Sequence, residues 1–204
     1  MSDHYVIVGL GNPGAKYAKT RHNAGFWFLD LLADRSGATF RLQSKFNAEV
    51  AKASLNGKDC ILVRPATFMN HCGQAVRAVV DYYKTSSDGL LIAYDELDLP
   101  PGVARLKQGG GHGGHNGMRD IFRYIREHDF LRLRIGIGHP GFKDAVTGYV
   151  LSRPARSQEV LIQSALSEAA GVMLDVLNGD VSKAMKELHT ATASQDSVAG
   201  KGST

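Results

Sequence analysis

Gly9-Leu10-Gly11-Asn12-Pro13-Gly14 follows directly on His4-Tyr5-Val6-Ile7-Val8, a short β-branched run. How those six residues are read decides the fold. They match the G-x-G-x-x-G spacing of dinucleotide-binding folds, in which a strand feeds the glycines and a helix starts at once, aimed at a pyrophosphate. The strand is present, but the helix is missing. Pro13 biases Asn12 away from helical dihedrals, and Ala15 to Arg21 is polar with no apolar stripe. The first convincing helix begins near Asn23, with Phe26, Trp27, Leu29, Leu31 and Leu32 as its buried positions. The acid that the motif wants at the end of a second strand is matched in distance only by Asp30 and Asp34, both inside that helix. The glycines are therefore expected to shape an irregular turn at a strand end.

Outward from that turn the chain alternates β and α. Ala48 to Ser54 and Asp59 to Arg64 flank Asn56-Gly57, a strong hairpin signal. A helix from about Cys72 to Tyr83 buries Ala75, Val76, Val79, Val80 and Tyr83. Gly89 to Tyr94 reads as a strand buried on both faces. Met118, Ile121, Phe122 and Ile125 form a helical stripe, and Leu131 to Ile137 another strand. Val160 to Leu177 reads as one long amphipathic helix stopped by Asn178-Gly179, and a short helix follows near Ser182 to Leu188. The expected fold is α/β: a single domain, residues 1–189, with a mixed twisted sheet flanked by helices in three layers. Residues 190–204 have little to bury and are expected to form a disordered tail.

The 204 residues suffice for one substantial α/β core. No apolar run approaches the roughly 18 residues of a membrane span, and no basic, then apolar, leader opens the chain. Cys60 and Cys72 make neither a disulfide framework nor a metal-ligand spacing. The expected compartment is the cytoplasm. The net charge of +4 is unevenly placed: residues 101–156 carry +6 and the rest −2. That asymmetry points to an anionic partner on one side of the molecule.

In open α/β sheets ligands bind beyond the carboxyl ends of the strands. Strand one leads to Asn12, Tyr17 and His22-Asn23, and the strand ending at Arg64 leads to Phe68-Met69-Asn70. The strand ending at Tyr94 leads to Asp95-Glu96. A fourth stretch, Lys107 to Gly117, has six glycines in its last nine residues, which admit close backbone approach and leave the loop mobile. A neutral imidazole is the natural general base near pH 7, and a carboxylate on its other nitrogen fixes the tautomer. Carboxamides can donate to an oxyanion or position a water. With no evident nucleophilic Ser or Cys, His, Asp and Asn suggest water-mediated hydrolysis of an activated acyl bond. Taken singly, Asn12 and Asn70 equally suit turn or cap roles. His112-x-x-His115, with Asp95 or His22, is the set a cation would use, but glycine-flanked histidines are poorly organised for one, and no metal is expected.

The blocks Gly9–Gly14 with Tyr17, Thr20-Arg21-His22-Asn23-Ala24-Gly25, Pro65–Asn70, Asp95–Pro100, Gly109–Gly117 and Arg132–Gly141 together resemble bacterial peptidyl-tRNA hydrolases, in order, from about residue 5 to residue 189. The resemblance implies a monomeric, metal-independent esterase with no cofactor and no obligate protein partner, which frees peptide and tRNA from peptidyl-tRNA. On that analogy His22 is the base, Asp95 its orienting partner, and Asn116 holds the attacking water. Asn12 and Asn70 meet the peptide near the scissile ester, with Tyr17, Phe68, Met69 and His115 lining the same groove. Lys107 and Arg134 match positions that clamp the tRNA 5′-phosphate. Arg119, Arg123 and Arg126, at i, i+4 and i+7 of the Met118 helix, would lie along the tRNA backbone. The chain departs from the family at His71-Cys72-Gly73, where a Ser-Gly is usual and a thiol would weaken one helix cap. It departs again at Tyr94, often His in relatives. The rival reading from another class is a tRNA-binding module without catalysis.

Overall fold

The computed structural model describes residues 5–199, with side chains as far as residue 190. Seven strands form one mixed sheet: β1 (Tyr5–Gly9), β2 (Arg41–Gln43), β3 (Ala48–Leu55), β4 (Lys58–Pro65), β5 (Leu90–Glu96), β6 (Ala104–Gln108) and β7 (Leu131–Gly136), in the order β2-β3-β4-β1-β5-β7-β6. β1 is parallel to β4 on one side and β5 on the other, and β5 to β7; the outer pairs are antiparallel. The hairpin forms where Asn56-Gly57 predicts it, with both residues at positive φ (51° and 79°), as a tight primed turn requires.

Strand alternation sends Ile7, Leu91, Ala93, Leu133 and Ile135 to one face. There they pack against α1 (Ala24–Ser36), α5 (Arg156–Gly171), α6 (Met173–Leu177) and α7 (Val181–Ala199). Val6, Val8, Val63 and Ile92 go to the other, against α2 (Gly73–Tyr83) and α3 (Asn116–Tyr124). Two cores on one sheet give the expected three layers. A further short helix, α4 (Val146–Val150), lies between β7 and α5.

The glycine run does two different jobs. Gly14 sits at φ +95° with open space around it, a turn glycine as expected. Gly9 and Gly11 serve close approach instead. A Cβ on Gly9 would meet the carbonyl of Gly25, and one on Gly11 would lie 2.7 Å from the Phe26 ring. α1 therefore crosses β1 glycine on glycine, and it starts only at Ala24, well past Gly14 and too late for a pyrophosphate-binding motif.

Several elements depart from expectation. Phe28, left out of the expected core, is fully buried, whereas Trp27 and Leu31 are only half-buried. The short edge strands β2 and β6 were not foreseen; Ala104 and Leu106 point inward between Arg105 and Lys107, the alternation of a half-buried edge. The expected long helix begins earlier and breaks at Val172 into α5 and α6. By length and composition Arg156–Leu177 could cross a membrane, a stretch the sequence reading missed. Here Ile162, Ala165, Leu166 and Ala169 bury against the sheet. α7 continues to Ala199, past the expected tail boundary at 190: no Gly or Pro interrupts it before Gly200, and each added residue gains a hydrogen bond on a nucleus already packed at Ala184 and Leu188. Residues 200–204 of that expected tail lie outside the described residues.

Candidate active site

β1 lies between β4 and β5, and the chain passes first to one side of it and then to the other. Their carboxyl ends form the switch point at which open sheets bind ligands. A cleft of about 820 Å³ opens there, lined among others by Asn12, Tyr17, His22, Phe68, Met69, Asn70, Asp95, His115 and Asn116.

Asp95, near the end of β5, is buried and shared between two imidazoles. His22 Nδ1 stands 2.9 Å from each carboxylate oxygen, and His115 Nε2 lies 2.9 Å from Oδ1. Met118 N–H donates to His115 Nδ1 (3.3 Å), so His115 is the α3 cap and carries its proton on Nε2 toward Asp95. His22 likewise donates from Nδ1, which leaves Nε2 as its basic nitrogen. Burial pushes the His22 imidazole toward neutrality. The Asp95 charge and hydrogen bond together outweigh it, so its pKa is raised above 6.5. Burial pushes Asp95 up, but the two histidines pull it further down, well below the ordinary 3.8. Tyr94 packs its ring 5.0 Å from that of His115, tilted against it.

His22, Asp95 and His115 each bring one ligand atom within 4.8 Å of the others, a spacing a cation could use. Those nitrogens are the N–H donors to Asp95, so a cation would have to displace two protons and two hydrogen bonds. His112, the expected partner of His115 in such a set, is elsewhere: its Nδ1 accepts Gly114 N–H (3.0 Å) and its ring meets Phe122 edge-on.

Asn12 is held at both ends. Its N–H donates to Asn23 Oδ1 and its carbonyl accepts Asn23 Nδ2, each at 2.9 Å. Its side-chain Oδ1 accepts Met69 N–H (2.8 Å), which leaves the Nδ2 amide to donate. Asn23, placed beside His22 by the sequence without a role of its own, is thus a positioning residue. Its side chain gives up capping α1 to clamp Asn12. Tyr17 and Phe68 meet edge to face, 6.1 Å apart. Asn70 and Asn116 are exposed on the cleft, and Asn116 Oδ1 accepts from Arg119 (3.3 Å).

The basic residues divide. In the β6–β7 register Arg105 lies opposite Arg134 and Lys107 opposite Arg132, so four cations share one face of that edge. Lys107 is exposed, and Arg134 Nε donates to Glu96 Oε2 (2.8 Å). Arg132, by contrast, is 1% exposed. It sits near the rings of Phe122 and Phe130 and donates to the carbonyls of Gly110, Gly111 and His128. The glycine loop, expected to be mobile, is tethered by a buried guanidinium; an Arg between Leu131 and Leu133 in a strand was the available signal. Arg119 and Arg123 line the cleft. Arg126 does not share their stripe, because α3 ends at Tyr124: Ile125 turns to extended dihedrals and buries its side chain, and Arg126 lies beyond on the loop.

Cys72 makes no cap bond, as the missing hydroxyl suggests, but the α2 terminus is capped from outside. Asp120 Oδ2, on α3, accepts Gly73 N–H (2.8 Å), and Cys72 Sγ points to the Gly117 carbonyl (3.6 Å). Burial, with Asp120 beside it, pushes the Cys72 thiol up to about 12, so it stays protonated. Asp120→Ala would leave a buried N–H without an acceptor and cost about 1–3 kcal/mol. A thermal melt of the variant is expected to show the midpoint fall by roughly 2–4 °C per kcal/mol, and an unchanged midpoint would remove Asp120 as the cap.

Comparison with known proteins identifies the family. The family model described as peptidyl-tRNA hydrolase matches residues 6–196. A peptidyl-tRNA hydrolase of Acidithiobacillus ferrooxidans is 51% identical over 186 residues, covering 91% of this chain and 98% of that one. One from Stenotrophomonas maltophilia is 52% identical over 185 residues (91% and 96%). The crystal structure of the Acinetobacter baumannii enzyme superposes with a TM-score of 0.89 at 46% identity, covering 93% of this chain and 96% of that one. With a family model over nearly the whole chain, relatives above 50% identity and one shared architecture, the chain belongs to the peptidyl-tRNA hydrolase family.

Proposed function

We infer that the cleft works as follows on the family reaction, hydrolysis of the ester between peptide and tRNA in peptidyl-tRNA. His22 Nε2 takes a proton from water as the water oxygen bonds to the ester carbonyl carbon. The resulting imidazolium is steadied by Asp95 across Nδ1. Collapse of the tetrahedral species breaks the bond to the ribose oxygen, which leaves with the proton held on His22. A free peptide carboxyl group and an intact tRNA result. The Asn12 Nδ2 amide, fixed by Met69 and Asn23, donates to the carbonyl side of the substrate, with Asn70 on the peptide and Asn116 on the water. A substrate hydrogen bond at a buried carboxamide also explains why aminoacyl-tRNA, which lacks the extra peptide carbonyl, would be spared.

Lys107 and Arg134 on the β6–β7 edge take the 5′-phosphate of the acceptor stem, and Arg119 and Arg123 follow the backbone along the cleft. One copy of the chain supplies every group used, so a monomer in the cytoplasm suffices. The observation that carries this reading is the grip of Asp95 on His22 Nδ1, which presents one basic nitrogen and no nucleophile. The test is release of N-acetylated amino acid from N-acetyl-aminoacyl-tRNA with and without EDTA. Turnover that survives the chelator is expected. Activity lost in EDTA and restored by a divalent cation would move the chemistry to a metal held by His22, Asp95 and His115.

A further inference from the structure

Arg21 is a buried cation whose hydrogen-bond partners among the described residues are carbonyls, a hydroxyl and a carboxamide. It is 6% exposed, yet its Nη1 donates to the carbonyls of Tyr149 (3.3 Å), Ser152 (3.2 Å) and Arg153 (3.2 Å) and to Ser152 Oγ (2.7 Å). Its Nη2 donates to Gln158 Oε1 (2.8 Å), and its backbone N–H to the Ser152 carbonyl (3.1 Å). The guanidinium lies 4.0 Å over the ring of Tyr149, whose hydroxyl is itself anchored on the Ile137 carbonyl at the end of β7 (2.6 Å). These carbonyls cluster at the C-terminal end of α4, where a short helix leaves acceptors unfilled and a cation is favoured.

What Arg21 joins matters more than the bonds themselves. On one side it is the residue before His22. On the other it holds the segment whose Val146, Val150 and Leu151 form an apolar wall of the catalytic cleft. We propose that Arg21 is a positioning residue that sets the distance between the catalytic histidine and this wall, and so fixes the enzyme's grip on the apolar side chain of the peptide's C-terminal residue. The inference rests on the esterase reading above and names a determinant of its specificity. A flexible ammonium cannot reproduce it, since Lys offers three donors at one point whereas Arg spans a fixed planar fork that also stacks.

The experiment compares kcat/KM for N-acetyl-leucyl-tRNA and N-acetyl-glycyl-tRNA in the wild type, Arg21→Lys and Gln158→Ala, each with its pH profile. The wild type is expected to favour the leucyl substrate by about 10-fold or more, as apolar pockets do per added methylene group. In Arg21→Lys that preference should fall to near unity, through KM, with the pH limb in place because His22 and Asp95 are untouched. Gln158→Ala should shift the preference the same way by less, and it decides the matter if Arg21→Lys does not fold. A uniform fall on both substrates with the preference retained, or no change in either variant, would reduce Arg21 to a structural tie and overturn the proposal. Absence of turnover by the wild type on both substrates would instead overturn the esterase reading.

Discussion

His22→Ala is expected to lower kcat by about 10²- to 10⁴-fold, the range a positioned general base supplies, with KM nearly unchanged. The asymmetry follows from geometry. His22 is tied to Asp95 through Nδ1, so only Nε2 meets the reaction, and it does so as the proton moves rather than when substrate binds. On the function proposed above, tRNA is bound by other groups, the β6–β7 cations and Arg119 and Arg123 beside the cleft, none of which is hydrogen-bonded to the imidazole. The variant should also stay folded, because Asp95 keeps one donor, His115 Nε2–H, and is not left as an uncompensated buried charge. Single-turnover release from N-acetyl-aminoacyl-tRNA, beside a filter-binding measurement with the same tRNA, separates the two effects. Turnover within tenfold of the wild type would place the base elsewhere. Binding without turnover in the wild type itself would leave only the tRNA-binding module.

The legible parts of the fold are those set by local pattern. Asn56-Gly57 placed the hairpin because two consecutive positive-φ residues admit few other turns. The all-apolar run at Leu90 placed a central strand because only burial on both faces tolerates it. What escaped was decided by tertiary contact. β2 and β6 are three and five residues long, too short for their alternation to stand out until a neighbouring strand supplies the ladder. The break at Val172 leaves the apolar pattern of Val160 to Leu177 intact, so periodicity alone could not find it. Gly9 and Gly11 were correctly separated from a dinucleotide motif by the missing helix, but their use as contact points for Gly25 and Phe26 depends on where α1 crosses.

For the site, the candidate groups were legible in the sequence, and the structure adds what holds them. His22, Asp95 and the carboxamides stand at strand ends, where topology collects them. The residues missed were the holders. Asn23 and Arg21 flank His22 in a block that the resemblance includes, but no spacing or pattern assigned either a role. In the sequence Asp120 is only one acid in a charge count, and its role as a cap depends on α2 packing against α3. That His115 rather than His112 would join Asp95 could not be read from their spacing, because Gly113 and Gly114, both at positive φ, send the two rings apart.

Asp95→Asn tests the centre of this arrangement. In the wild type kcat/KM should rise with pH along a limb whose midpoint lies above 6.5, because the neutral imidazole is the active form and its pKa is raised. The same proton governs stability. With its folded pKa raised, His22 contributes stability that is fully present below 6.5 and fades as pH rises through the folded value. Asp95, depressed, contributes stability that is present above 3.8 and is lost as pH falls. Activity should therefore climb as the stabilisation from His22 declines, with the activity midpoint at the upper end of the window over which stability is lost. Asparagine removes the charge and offers an N–H₂ where an acceptor stood. With that amide facing His22, Nδ1 becomes the acceptor and Nε2 carries the proton, so the base is lost in the dominant tautomer. Activity should fall by about 10²- to 10⁴-fold. The residual limb should move below 6.5, since burial, which lowers the pKa, is no longer opposed. The pH–rate profiles of both proteins, with the pH-dependent melting of the wild type, check all of it. A limb that stays in place in Asp95→Asn would mean that the rate reports a group other than His22.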